Sequence, residues 1–133
     1  MQTKRALGQK ELQAVLALAG PKRYAHTVKQ VADWQQVWGL RDEGGWASAA
    51  DERGSPAFAI WPHSEYARVC VGGDWSTYSP EPIEVHAFMD GVLRSLVEQK
   101  ASLAVFPTPS GAVVLVSAAQ FEGDLREELA RIE

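Results

Sequence analysis

Apolar residues recur every three to four positions at both ends of the chain and fall into short runs in between, and these changes divide it into elements. Leu12, Val15, Leu16 and Ala19 share one helical face, and Gly20-Pro21 ends that helix. Pro21 can open the next helix, because a first-turn residue has no intrahelical use for its N–H. Tyr24, Val28, Val31 and Gln35 mark a face of that second helix, so the N-terminal part reads as a helical hairpin. Three short apolar stretches follow: Val37-Trp38-Gly39-Leu40, Trp46 to Ala50, and Phe58 with Ile60. Asp42-Glu43-Gly44-Gly45 and Asp51-Glu52-Arg53-Gly54 separate them with residues suited to tight turns. Strands joined by turns this short run antiparallel, which predicts a three-stranded meander over residues 37–61.

Trp61-Pro62-His63 closes the third strand and opens a short helix, with Pro62 near its first position and Glu65 in its first turn. Gly72-Gly73 is expected to stop it, and residues 74–82, with Trp75, Tyr78, Pro80 and Pro82, read as a loop. A long helix runs from about Glu84 to Gln99, with Val85, Met89, Val92, Leu93 and Leu96 inward. Leu103 to Phe106 is a strand ended by Pro107-Thr108-Pro109. Residues 112–116 are apolar without alternation, which predicts a central strand covered on both faces. Ser117 and Gln120 have capping-box spacing at the start of a last helix. Phe121, Leu125, Leu129 and Ile132 form its apolar stripe. The whole is expected to be one α+β domain over residues 1–133. Its antiparallel or mixed sheet has about five strands, the meander 37–61 and the pair 102–116, packed with helices.

Composition narrows the class. A chain of 133 residues fits a single domain, and folding at that size covers roughly two-thirds of the surface of the unfolded chain. Hydrophobic residues make up 46% and charged residues 23%, globular values that exclude disorder beyond the first few positions. No stretch reaches the ~20 apolar residues of a membrane span. The run Ala14 to Ala19 follows a basic start, yet Glu11 and Gln13 interrupt it and Gly20-Pro21-Lys22-Arg23 is no cleavage site. A cytoplasmic address without a membrane partner is the expectation. Cys70 is the single cysteine, which excludes an internal disulfide and a cysteine-based zinc site.

Charge is uneven. Residues 1–41 hold seven Lys or Arg against two acids, a net +5, and residues 42–133 hold six against fifteen, a net −9. The basic residues Lys4, Arg5, Lys10, Lys22, Arg23 and Lys29 are scattered, unlike a nucleic-acid patch, so no nucleic-acid partner is expected.

Several of these blocks occur together in one order: Arg23-Tyr24, Val31-Ala32-Asp33-Trp34, Val37-Trp38-Gly39-Leu40, Gly45-Trp46-Ala47, Trp61-Pro62-His63 and Glu65-Tyr66-Ala67. Trp75, Pro80, Ile83, Phe88, Val105-Phe106-Pro107 and Asp124-Leu125 continue the series. In this the chain resembles the bacterial family known as domain of unknown function 2750, over most of residues 23–129. The resemblance implies a small bacterial cytoplasmic α+β protein and brings no catalytic residue with it.

Candidate chemistry is sparse. His63, Tyr66 and Cys70 stand at helical spacing, which suggests Cys70 as nucleophile and His63 as base. Seven helical residues span about 10 Å, however, far beyond the ~3 Å that such a pair needs. Cys70 between Val69 and Val71 is expected to be a buried, unreactive thiol. His63, in a helical first turn, has its cationic form disfavoured and could accept a proton. Otherwise it packs on Trp61 and bonds a loop carbonyl. His26 and His86 add no zinc spacing, so neither a metal nor a cofactor is expected. Phosphate loops and nucleophile elbows are absent from the sequence.

Five tryptophans are many for this length. Trp38 and Trp61 are expected in the core, while Trp75 and Tyr78, in a Gly- and Pro-flanked loop, suit an exposed contact surface. The reading is a non-catalytic binding or interaction domain whose unidentified protein or small-ligand partner meets an aromatic surface near residues 61–78. His63, Trp61, Tyr66, Trp75 and Tyr78 are its candidate residues. Two alternatives stand beside it: a small enzyme with His63 as base in a Trp/Tyr-lined pocket, and an immunity-type protein that blocks a toxin by charge complementarity.

Overall fold

Both aspartate-glycine turns form hairpins, but the two hairpins belong to different sheets. The computed structural model describes residues 7–132. Its first hairpin joins β1 (Gln36–Asp42) to β2 (Gly45–Trp46). In the turn Asp42 Oδ1 accepts the Gly44 N–H at 2.7 Å, and Gly45 takes φ +127°, which a side chain would strain. The second joins β3 (Ser48–Ala50) to β4 (Pro56–Ile60), with Asp51 Oδ1 accepting the Arg53 and Ser55 N–H groups at 2.9 and 2.8 Å. Ala47 is the hand-over between them. Its N–H donates to Leu40 O at 2.8 Å in the first sheet, and its C=O accepts from Ala59 N at 3.2 Å in the second. The expected three-stranded meander over 37–61 is therefore corrected to two hairpins meeting at one residue.

Among the described residues seven strands fall into two sheets, ordered β2-β1-β5 and β3-β4-β6-β7. The first is antiparallel and the second mixed, because β4 pairs parallel with β6 (Ser102–Val105). With its helices the fold is α+β, as the pattern predicted. Gly39 holds the sheets close: a Cβ there would stand 2.8 Å from the Trp46 ring and near Ala59 O.

β5 (Ser79–Glu84) lies where a loop was expected. It pairs with β1 in the register Trp38↔Pro82 and Leu40↔Pro80. The Val85 N–H bonds Gln35 O at 2.9 Å, so the alternation turns Ile83, Glu81 and Ser79 toward β1 and both prolines outward. Proline is tolerated at such positions of an edge strand, and its missing N–H concealed the strand in the sequence.

α1 (Gln9–Leu16) and α2 (Gly20–Trp34) form where the apolar spacing puts them, with Pro21 in the first turn of α2. α1 rests beside α3 (Ser64–Arg68). The predicted long helix is α4 (Val85–Phe88), a π-helical turn at Met89–Leu93, and α5 (Arg94–Glu98). Phe88 joins Val85, Met89 and Leu93 in the core, while Val92 and Leu96 are only partly covered. α6 (Ala118–Ile132) starts with Ser117 Oγ accepting the Gln120 N–H at 3.1 Å. It buries Phe121, Leu125 and Leu129, but Ile132 is 47% exposed and leaves the predicted stripe. Aromatic contacts tie helices to sheet: Phe58 of β4 meets Phe88 at 6.3 Å, and Phe88 meets Phe121 at 6.5 Å. Tyr24 of α2 donates to Asp124 of α6 at 2.5 Å. Among the described residues no helix is long and apolar enough to cross a membrane.

The unbroken apolar run at 112–116 does not mark a central strand. β7 (Val114–Ser117) is the end of its sheet, and Val113 to Val116 are all half-buried. β6 is the strand covered on both faces, with Leu103, Ala104 and Val105 fully buried.

Candidate functional site

Trp61 is where the chain's parts are joined. Its backbone exchanges bonds with Trp38, N–H to O at 2.8 Å and O from N–H at 2.9 Å, which links β4 to β1 across the sheets. Its indole N–H donates to Pro107 O at 2.9 Å, just past the end of β6. The side chain is fully buried. Pro62 then biases Trp61 to extended geometry and ends the strand, as the sequence implied.

His63 follows as the N-cap of α3 and not as a first-turn residue. Its backbone is extended (φ −155°, ψ 149°), and Nδ1 accepts the Glu65 N–H at 3.1 Å. The ring is 8% exposed and stands edge-on to Tyr66, with centroids 6.2 Å apart. A base needs a free ring nitrogen facing substrate, and one nitrogen here already serves the helix. Tyr66 packs on Phe106 at 4.8 Å and stands edge-on to His26.

Cys70 lies beyond the end of α3, which stops before the expected Gly72-Gly73. Its Sγ donates to Pro107 O at 3.3 Å, the carbonyl that Trp61 also uses. It is half-buried, less enclosed than its valine neighbours suggested, since Val69 is itself exposed. Burial pushes its thiol up to about 11, opposed by a hydrogen bond with Trp61. The thiolate is the reactive form, so Cys70 labelling by iodoacetamide at neutral pH should run about 100-fold slower than that of a free thiol. The rate should climb with pH through the alkaline range. Rapid labelling at pH 7 would contradict this assignment.

Arg23 is the buried residue that sequence reasoning passed over as one of several scattered cations. It is 3% exposed and has no carboxylate partner among the described residues. Nε donates to Phe106 O at 3.2 Å, Nη1 to Leu18 O at 2.9 Å, and the guanidinium lies 5.8 Å from the Phe106 ring. Burial lowers its pKa. Phe106 takes φ +53°, an uncommon conformation for a bulky residue. The only sequence signal was its place in the Arg23-Tyr24 block.

Trp75 and Tyr78 are the two candidates left partly open. Gly72 and Gly73, at φ +151° and +51°, turn the chain into a 3-10 turn at Gly73–Trp75. Trp75 packs edge-on against Trp61 with centroids 5.8 Å apart. Its other side lines a cleft of about 590 Å³, shared with Ser48, Ala50, Pro56, Gly72 and Asp74. The Tyr78 N–H bonds Trp75 O at 3.1 Å, placing the tyrosine on the same turn. Ladder geometry adds main-chain groups to this cleft. Ala59 N bonds Ala47 O and Asp51 N bonds Ser55 O, so Ala47, Ala49 and Asp51 address β4. By the alternation, the N–H and C=O of Ser48 and Ala50 point out from the open edge of β3.

The five candidates thus divide into three that are buried (Trp61, His63, Tyr66) and two at a surface (Trp75, Tyr78). Among the described residues no three His, Cys, Asp or Glu side chains gather as a metal site would require. Fold and site define an α+β protein with an aromatic cluster. The chain belongs to the family described as "Protein of unknown function (DUF2750)", which matches residues 24–125. No curated protein and no solved structure matches it.

Proposed function

We propose that the chain is a non-catalytic binding domain that holds an extended polypeptide segment along the open edge of β3, with one side chain of that segment on Trp75. One observation carries this reading: outward main-chain groups of Ser48 and Ala50 and an open indole line the same cleft. A segment added as a further strand gains affinity from main-chain bonds and specificity from a pocket for alternate side chains. Trp61 supports Trp75 from behind, and Tyr78 extends the contact on the same turn. Asp74 is the cleft's charged side chain, so a lysine or arginine next to the docked residue is favoured. His63 and Tyr66 belong to the support and not to the contact.

Selection of a random peptide library on the full chain provides the probe. Recovered peptides should be enriched in an aromatic or aliphatic residue beside a basic one. Their binding should fall at least tenfold in Trp75→Ala, which loses a central aromatic anchor while its circular dichroism stays as in the wild type. Peptides that bind both proteins equally would remove Trp75 from the contact.

A further inference from the structure

We propose that the chain forms a two-fold dimer in which β7 of one copy pairs antiparallel with β7 of a second copy, centred on Leu115. This rests on the other end of the second sheet and is independent of the cleft at Trp75. Among the described residues β7 pairs only with β6, in the register Leu103↔Val116, Ala104↔Leu115 and Val105↔Val114. The Ala118 N–H bonds Ala101 O at 2.9 Å, so Val116 and Val114 are the residues that exchange bonds with β6. Leu115 therefore directs its N–H and C=O outward, and Ser117 its N–H, while the Ser117 C=O begins the bonding of α6.

Natural sheets guard such an edge with lysine, proline or a bulge, and β7 carries none of these. Its unbroken apolar run is the pattern of a covered strand, yet Val113 to Val116 are each half-open in the single chain. Two-fold pairing about Leu115 sets Leu115 opposite Leu115 and Val113 opposite Ser117. Leu115 then exchanges two main-chain bonds with its own copy.

Charge selects a second copy as the occupant. No charged side chain occurs from Ala101 to Phe121, in a chain of net charge −4. The charged side chains that share a cleft with Leu115, Val116 and Ser117 balance, Asp51 and Glu52 against Arg53 and Lys100, so like-charged copies meet here through a patch without net charge. A groove of about 580 Å³ runs beside the strand, walled by Pro21, Tyr24 and Gln120. Four or five paired residues fall short of the ~800 Å² per partner of a standard interface, so these walls must take part and the dimer should be of micromolar strength.

Sedimentation velocity on the full chain, from about 1 µM to several hundred µM, should show a monomer–dimer shift. Leu115→Pro deletes only an outward N–H, which an edge strand tolerates, and leaves the ladder to β6 intact. Leu115→Lys sets two like charges opposite each other on the axis. Each variant should fold as the wild type does by circular dichroism and weaken the dimer at least tenfold. If the proline variant does not fold, the lysine variant alone decides. A wild type that stays monomeric throughout, or a dimer just as tight in the folded variants, overturns the proposal.

Discussion

Trp61→Ala is expected to lose about 3–5 kcal/mol of stability, a large share of what a domain of this size has. The loss has two sources. A fully buried indole is replaced by a cavity beneath Trp75, and Pro107 O gives up its indole donor, keeping only the weaker Cys70 thiol. Backbone bonds between Trp61 and Trp38 survive the change, so the two sheets should stay joined while the corner loosens. His63→Ala is the comparison: it removes a cap bond, worth typically about 1 kcal/mol, and a smaller ring that stands edge-on to Tyr66, so its loss should be the smaller of the two. Urea unfolding followed by circular dichroism measures both. A wild-type midpoint for Trp61→Ala, with collapse of His63→Ala, would reverse their roles.

Arg23→Ala is expected to cost about 2 kcal/mol, and the sign needs argument because two effects compete. Removing a buried cation without a carboxylate partner relieves its desolvation, which favours the variant. Against this, the buried Phe106 carbonyl and the Leu18 carbonyl lose their donors, and the ring of Phe106 loses a stacked guanidinium. The unpaired carbonyls should win, since each bond came from a charged donor. Arg23→Lys should recover little, because an ammonium cannot span two carbonyls as the planar fork does. The same urea unfolding decides it. Equal midpoints for all three proteins would mean that desolvation cancels the bonds.

Local patterns in the sequence located most elements, and what they missed has a common cause. Helical spacing found α2 and α6, and aspartate-glycine turns found both hairpins. Neither signal records which sheet a hairpin joins, and that depends on the single hand-over at Ala47. β5 was hidden by Pro80 and Pro82, which are harmless because both face outward from an edge. The run at 112–116 was read as central, because apolar content reports a tendency to be covered and not what provides the cover. At the candidate site, residue type singled out Trp61, His63, Tyr66, Trp75 and Tyr78. It did not separate those that hold the corner from those that face solvent. The glycine pair at 72–73 was read as a helix stop, whereas α3 ends at Arg68 and the pair instead opens the turn that carries Trp75. Arg23 gave no signal by charge, since a buried arginine and a surface one look alike in a sequence.

Buried aromatics hold the corner, and in the proposed function the open edge beside Trp75 does the binding. Amide hydrogen exchange at the β3 edge tests this most directly. In the free protein the Ser48 and Ala50 N–H groups should exchange quickly, while those of Ala49 and Ala59, bonded within the hairpin, are protected. With a library-selected peptide bound, Ser48 and Ala50 should become protected too. If they stay fast while protection appears elsewhere on the molecule, the segment does not add to β3 and the central claim fails.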